Sequence, residues 1–153
     1  WYFMSIGLIF WVVLLTLVMN RLIFHDPLPE RLQPTLVILI APPAVGFLAW
    51  LRLNGGVIDP FAHILLNAAY FFTLLVAVQL PRILKLPFAM SFWALSFPVA
   101  AVTIASFAHA GVAQSGFHQM LGMVLLAGLI VIIAALIVRT ARAVIAGAVF
   151  QPE

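Results

Sequence analysis

Long apolar runs separated by short polar connectors constrain this chain more than any other feature. Of its 153 residues, 66% are hydrophobic and 7% are charged, whereas roughly a quarter of the residues in a soluble domain are charged. The charged residues fall in short segments between the apolar runs or in the tail that ends at Glu153. Placing a charge in hydrocarbon costs on the order of 3 kcal/mol. The pattern therefore predicts an all-α polytopic membrane protein.

The lengths of the apolar runs predict the number of spans. A bilayer core about 30 Å thick needs about 20 helical residues, and the connectors between such runs carry turn residues, such as Gly55 and Gly56 in LNGGVIDP. We predict a single transmembrane domain over residues 1–153. Its five helices are expected at 1–21, 34–52, 60–81, 87–109 and 117–139.

The distribution of basic residues predicts the orientation. Because successive helices alternate in direction, the connectors fall into two groups. One group holds six basic residues, whereas the other holds Arg52, offset by Asp59. The positive-inside rule then places the C-terminus in the cytoplasm and Trp1 on the outer side. The six residues are Arg21, Arg31, Arg82, Lys85, Arg139 and Arg142. We interpret the pairs Arg82/Lys85 and Arg139/Arg142 as topology determinants at lipid headgroups, with attraction of anions to the inner mouth as the alternative.

Residue usage gives no indication of catalysis or of nucleic-acid binding. The basic residues are dispersed rather than clustered on one face. The chain has no cysteine, and its four histidines, at 25, 63, 109 and 118, do not have the spacing of metal ligands. We predict no enzyme activity, no cofactor, no bound metal and no nucleic-acid partner.

Prolines distinguish two of the five spans. Pro42 and Pro43 lie in the middle of the second span and Pro98 in the middle of the fourth, whereas the interiors of the others have none. A proline within a helix frees a backbone carbonyl, that of Ala94 in the case of Pro98. Such a group is tolerated at membrane depth where protein or water covers it. We therefore predict kinked helices two and four inside, and helices one, three and five outside.

One face of the fourth helix has the profile of a conduit. Residues spaced by three and four share a face of a helix, and this face has hydroxyl groups toward both ends and apolar side chains at its centre. That is the profile of a narrow passage with a hydrophobic constriction. Alternatively, the serines bond back to their own helix or pack against a neighbour. The face consists of Ser91, Leu95, Pro98, Val99, Val102 and Ser106.

The third helix carries a polar ridge made of Asp59, His63, Asn67 and Tyr70. The preferred interpretation is structural: Asp59 caps the helix start before Pro60, and the other side chains bond to neighbouring helices or to a subunit interface. A proton or ion relay along the ridge is the alternative.

Two segments, PFAMSFWALSFPVAA and IAPPAVGFLAWLRLNGG, carry a family resemblance. Together with the third helix ending in LPRIL, they resemble the C-terminal half of the tellurite-resistance/dicarboxylate transporter family, whose plant members are slow anion channels. The resemblance implies that the five spans form half of a ten-helix bundle around a central pore. It also implies a missing N-terminal half and a homotrimer.

The resemblance implies roles for particular residues. The second and fourth spans correspond to pore-lining helices of the family, so Pro42 and Gly46 join the face described above as predicted lining residues. In the family a phenylalanine two positions after a tryptophan plugs the pore. Here that tryptophan is Trp93 and the corresponding residue is Leu95. Leu95 is therefore the predicted gate. Because leucine is smaller than phenylalanine, either the occlusion is looser or Phe92 or Phe97 shares it.

The implied function is the passage of small anions, such as chloride, nitrate, a C4-dicarboxylate or an oxyanion like tellurite, past a hydrophobic gate. The implied location is the lipid bilayer of a bacterial inner membrane. A proton-coupled C4-dicarboxylate transporter is the first alternative, and it needs an ionisable group within the membrane. A non-transporting scaffold subunit is the second.

Overall fold

The computed structural model describes residues 1–26 and 28–147, with Arg31 described by its backbone alone. Five helical spans within these ranges are long and apolar enough to cross a membrane. This confirms the predicted all-α polytopic membrane protein. The spans are Tyr2–Phe24, Leu32–Leu53, Pro60–Ile83, Met90–Ala113 and Gly116–Ile145.

Three of the spans are continuous α-helices: α1 (Tyr2–Phe24), α3 (Pro60–Ile83) and α5 (Gly116–Ile145). Helix α5 continues six residues beyond the predicted end at 139, so both Arg139 and Arg142 belong to it. The prediction placed the end of the helix at the first charge. A long basic side chain reaches the headgroup region from within a helix, so charge indicates the edge of the hydrocarbon rather than the last helical residue.

The second and fourth spans each change backbone geometry along their length. A 3₁₀ segment at Glu30–Ile40 precedes α2 (Ala41–Leu53), and a second 3₁₀ segment at Met90–Leu95 precedes α4 (Ser96–Ala113). We call them the first and second 3₁₀ segments. The prediction of α-helices kinked in the middle was therefore incomplete.

The prolines lie where the α geometry begins. Pro42 and Pro43 are in the first turn of α2, and Pro98 is the third residue of α4. Backbone N–H groups in the first turn of an α-helix have no acceptor within that helix, so a proline there removes no helical hydrogen bond. In both spans the prolines start an α-helix instead of bending one.

The core of the bundle comes from the second, third and fourth spans. Helix α1 has no buried residue, and α5 buries Gly122 and Leu136 among its described residues. This agrees with the predicted outer placement of the first and fifth spans. Helix α3 differs from the prediction because it has two faces: seven of its residues are buried, whereas Ile64, Phe71 and Val78, spaced by seven, are exposed.

The two 3₁₀ segments pack against each other, and α2 packs against α4. The second and fourth spans therefore run in the same direction, with both 3₁₀ segments at one end of the bundle. That end also holds the basic residues Arg82, Lys85 and Arg139. The opposite end is formed by the α2–α3 and α4–α5 turns.

The α2–α3 turn is held by the carboxylate of Asp59. Its Oδ1 accepts from the backbone N–H of Ala62 at 2.8 Å and from the indole N–H of Trp50 at 3.0 Å, while Oδ2 accepts from the amide of Asn54 at 3.2 Å. The predicted cap before Pro60 is confirmed. The same carboxylate joins the end of α2 to the start of α3.

Helices α4 and α5 approach each other closely at Gly122. A Cβ atom at this position would lie 2.9 Å from two ring atoms of Phe107, so only glycine leaves space for that ring. A Cβ atom at Gly128, further along α5, would meet nothing within 4 Å. The close contact between α4 and α5 therefore depends on one of the two glycines.

Candidate anion pathway and histidine cluster

The predicted gate lies in the second 3₁₀ segment. Leu95 is its last residue and is 4% exposed, and Phe92 is 2% exposed. Phe97, the other aromatic residue considered for the occlusion, is 63% exposed. Of the two phenylalanines, Phe92 is therefore the one buried with Leu95 in the core.

Helix α5 holds the second 3₁₀ segment in place. The indole N–H of Trp93 donates to Oγ1 of Thr140 at 3.0 Å. One residue earlier on α5, the guanidinium carbon of Arg139 lies 5.8 Å from the centre of the Phe92 ring, within the range of a cation–π contact. We call these two contacts the Trp93–Thr140 anchor. They place a positive charge beside the predicted gate.

The predicted lining residues lie at different depths in the packing. Ser106 is fully buried, and its hydroxyl donates to the carbonyl of Val102 at 2.8 Å. The hydroxyl of Ser106 is also 3.0 Å from the hydroxyl of Tyr70 on α3. Because the proton of Ser106 is already donated to Val102, Tyr70 is the donor in this second hydrogen bond. Ser106 thus makes the contacts of the alternative interpretation. The pore-lining role of the whole set stays a prediction. Gly46, Pro98, Val102 and Ser106 are buried, while Ser91, Val99 and Pro42 are partly exposed.

The residues of the polar ridge on α3 make separate contacts. Asp59 caps the helix and Tyr70 bonds to α4, as the structural interpretation predicted. Asn67 is exposed. His63 meets a histidine of α4, a contact that the sequence analysis did not predict.

Three histidines from three helices form a cluster at the end of the bundle away from the 3₁₀ segments. The ring centres of His63 on α3 and His109 on α4 are 5.7 Å apart. The rings of His109 and His118 on α5 are 3.9 Å apart, with 35° between their planes. We call His63, His109 and His118 the histidine cluster.

His109 is the buried member of the cluster. It is 4% exposed, and neither of its ring nitrogens has a hydrogen-bond partner in the described part of the chain. Phe47 of α2 lies on another side, with ring centres 6.3 Å apart. Buried polar groups are nearly always hydrogen-bonded, so this imidazole requires an explanation.

The other two members are more accessible. His63 is exposed, and His118 is partly exposed. Nδ1 of His118 lies 2.9 Å from the hydroxyl oxygen of Ser115, which also caps the start of α5 by accepting from the backbone N–H of His118. The ring of Tyr70 lies 6.1 Å from that of His118.

The cluster does not have the geometry of a metal site. Within residues 1–26 and 28–147, no three histidine, cysteine, aspartate or glutamate side chains could hold a metal ion together. The His109 and His118 rings stack, whereas metal ligands direct their nitrogens at a common point. The chemistry available to the cluster is hydrogen bonding and proton exchange, the usual chemistry of imidazole near neutral pH.

A simple rule could have found the cluster in the sequence. The histidines were compared by their separation along the chain, which is the test for a metal motif. Alternating helix directions place the start of α3, the end of α4 and the start of α5 at one end of the bundle. His63, His109 and His118 occupy those positions, so topology alone predicts that they share a level of the membrane.

The described residues thus form a polytopic membrane protein of five spans, in which the two spans that join a 3₁₀ segment to an α-helix pack together at the centre. Residues 1–141 match the family model described as SLAC1, voltage-dependent anion channel. The chain belongs to this family, which confirms the resemblance seen in the sequence.

Named relatives are similar over most of this chain. S-type anion channel SLAH3 of Arabidopsis thaliana is 29% identical over 139 residues, which cover 91% of this chain and 22% of the relative. The uncharacterized transporter MJ0576 of Methanocaldococcus jannaschii is 30% identical over 111 residues, 65% of this chain and 32% of the relative. The chain thus spans between a fifth and a third of the length of these relatives. No solved structure matches it.

Proposed function

We propose that the protein carries small anions across a membrane through a passage walled by the second and fourth spans. The observation that carries the proposal is the central packing of these two spans, with Leu95 and Phe92 buried where the second 3₁₀ segment meets α4. Membership of the anion channel family supports it.

The proposed mechanism is hydrophobic gating. An apolar constriction excludes water, and an anion passes when the constriction widens and wets. Conduction also requires weak binding, which suits an apolar wall at Leu95 and Val102. Arg139 lies beside the Phe92 ring, where its charge raises the local concentration of anions without holding one tightly.

Substitution of Leu95 tests the gate. In the full-length protein Leu95→Ala should raise the anion current because it removes the plug, and Leu95→Phe should lower it because a larger side chain fills the constriction. The measurement is current per channel in a planar bilayer at equal protein incorporation.

The matched control is Leu65→Ala, because Leu65 is a core leucine of α3 that is 1% exposed. Truncating a core leucine ordinarily costs about 2 to 5 kcal/mol through the cavity that it leaves. Leu65→Ala should therefore lose stability without gaining current. If both variants lose current in step with lost folding, Leu95 is a packing residue and not a gate. Leu86 lies in the connector between α3 and the second 3₁₀ segment, so it is a poorer control.

A proton-coupled C4-dicarboxylate carrier is the second candidate, and the histidine cluster favours it. Such a carrier needs an ionisable group within the membrane, and His109, buried in the span Met90–Ala113, is such a group. In a coupled carrier the reversal potential shifts with a pH gradient at fixed anion concentrations, whereas in a channel it does not. Permeability ratios for chloride, nitrate, malate and tellurite measured in the same bilayers would identify the substrate class.

Orientation and assembly complete the proposal. We propose a cytoplasmic C-terminus in a bacterial inner membrane, because the basic residues concentrate on one side. A reporter fused after Gln151, which lies outside the described residues, should then behave as cytoplasmic, and one inserted at Gly55 as external. We further propose that an N-terminal half completes a ten-helix subunit and that three subunits associate. The mass of the purified complex tests the trimer.

A further inference from the structure

The unpartnered imidazole of His109 is the feature of this structure that the proposed function does not explain. A neutral histidine has one ring nitrogen that donates and one that accepts, and here both are buried without a partner. We propose that His109 is a proton-binding site through which acidity at this end of the bundle controls the contact between α4 and α5. The effect on current rests on the proposed anion passage, whereas proton binding itself does not.

Burial distinguishes His109 within the cluster. Its side chain is 4% exposed, whereas His63 is exposed and His118 is partly exposed. His109 is therefore the member at which a gained charge would most disturb the surrounding packing.

The other members of the cluster connect His109 to the surface. His63 is exposed and its ring centre is 5.7 Å from that of His109. A small displacement of either ring, or one intervening water, completes a path for a proton. Imidazoles transfer protons readily because each ring accepts at one nitrogen and releases at the other.

Within residues 1–26 and 28–147, the groups that face His109 provide no counter-charge. Helix α3 presents His63 to it, α5 presents His118, and α2 presents the apolar ring of Phe47. Tyr70 of α3 faces His118. The carboxylate of Asp59 is held by Trp50, Asn54 and Ala62 at the α2–α3 turn. Arg52 lines the groove between α1 and α2.

Protonation therefore destabilises the closed packing around His109. Imidazolium has two N–H donors, and a buried cation without acceptors is strongly disfavoured. The charge is relieved when α4 and α5 separate at this end and water reaches the ring. The separated end also presents a positive charge to incoming anions. Acidification should thus loosen the contact and raise anion flux.

Histidine titration tests the proton site directly. The full-length protein would be labelled with ¹⁵N-histidine in lipid nanodiscs, and its imidazole signals followed between about pH 5 and pH 8. His109→Gln should remove one titrating signal. His25→Gln, the matched control in the exposed connector after α1, should leave the His109 signal in place. An imidazole of His109 that stays neutral throughout this range would overturn the proposal.

Spin-label distances test the proposed movement. The chain has no cysteine, and Val112 and Phe117 are exposed residues on either side of the α4–α5 turn. Labels at Val112→Cys and Phe117→Cys should move apart on acidification, and His109→Phe should abolish the change. An unchanged distance in a protein whose His109 titrates would show that proton binding does not act through this contact.

Current recordings connect the site to transport. Lowering the pH on the histidine side from about 8 to about 5.5 should raise anion current on the order of threefold. The rise should be absent in His109→Phe and His109→Gln and present in His25→Gln. A pH response that persists in both His109 variants would overturn the proposal. A wild-type protein that titrates at His109 but passes no anion at any pH would refute the proposed function and leave the proton site standing.

Discussion

Helix α5 holds the fourth span at two places, and the two contacts differ in kind. At the 3₁₀ end, the indole N–H of Trp93 has its acceptor on Thr140 at 3.0 Å. At the other end His109 stacks on His118 at 3.9 Å without a hydrogen bond for either of its ring nitrogens. The indole of Trp93 is thus hydrogen-bonded within the described chain, whereas the imidazole of His109 is not.

The difference shows how α5 and the fourth span can combine one contact that is independent of pH with another that depends on pH. A satisfied hydrogen bond between neutral groups does not change with pH, because neither the indole nor the hydroxyl titrates near neutrality. Imidazole, in contrast, is the side chain whose charge responds most readily to pH in that range. We therefore expect variants at the Trp93–Thr140 anchor to affect stability at every pH, and variants in the histidine cluster to affect how stability and current depend on pH.

Substitution of Gly122 should have the largest effect, because it lies between the two contacts. Gly122→Ala places a Cβ atom 2.9 Å from the ring of Phe107, and overpacking of this kind typically costs about 1 to 3 kcal/mol. Both contacts should weaken together, seen as a lower free energy of unfolding in mixed micelles. Gly128→Ala is the matched control, since its Cβ would meet nothing within 4 Å. Equal stability of the two variants would contradict the close packing of α4 on α5.

The Trp93–Thr140 anchor should have the next largest effect. Trp93→Phe and Thr140→Val each leave one partner without its hydrogen bond, so each should lower the free energy of unfolding by about 1 kcal/mol. The double variant should cost less than the sum of the single ones. The loss should be the same at pH 5.5 and pH 8. Additive losses would mean that the two side chains do not interact.

A smaller effect is expected at Tyr70, beside the histidine cluster. Tyr70→Phe removes the hydroxyl that donates to Ser106, and hydrogen bonds between membrane helices average about 0.6 kcal/mol. Ser106 retains its bond to the carbonyl of Val102. The unfolding measurement should therefore show a modest loss, and Phe72→Leu on the same helix serves as a packing control. A loss as large as that of Gly122→Ala would show that Tyr70 also supports the His118 ring.

Pro98 should have the smallest effect on stability. As the third residue of α4 it removes no helical hydrogen bond, so Pro98→Ala should change the free energy of unfolding by less than about 1 kcal/mol. The new N–H can donate to the carbonyl of Ala94, which would extend α geometry into the second 3₁₀ segment. We therefore expect a change in current without a matching loss of folded protein. An unchanged current would mean that the junction serves packing alone.

The sequence predicted the elements that depend on local chemistry. Five spans follow from hydropathy because lipid exposure requires apolar side chains, and the Asp59 cap follows from an acidic residue directly before Pro60. The 3₁₀ segments could not be predicted in this way, because an apolar run is compatible with either an α-helix or a 3₁₀ helix. Packing between the second and fourth spans determines which geometry forms. The histidine cluster depends on tertiary contacts among three helices, so the spacing of the histidines along the chain did not reveal it. The alternating directions of the helices would nevertheless have placed these residues at one level of the membrane.

The second 3₁₀ segment has a mechanical consequence. A 3₁₀ helix rises about 2.0 Å and turns about 120° per residue, compared with about 1.5 Å and 100° in an α-helix. Converting the six residues Met90–Leu95 to α geometry would shorten this stretch by about 3 Å and rotate one of its ends relative to the other by about 120°. A change from 3₁₀ to α geometry within this segment would therefore turn one side chain away from the axis of the bundle and bring another toward it.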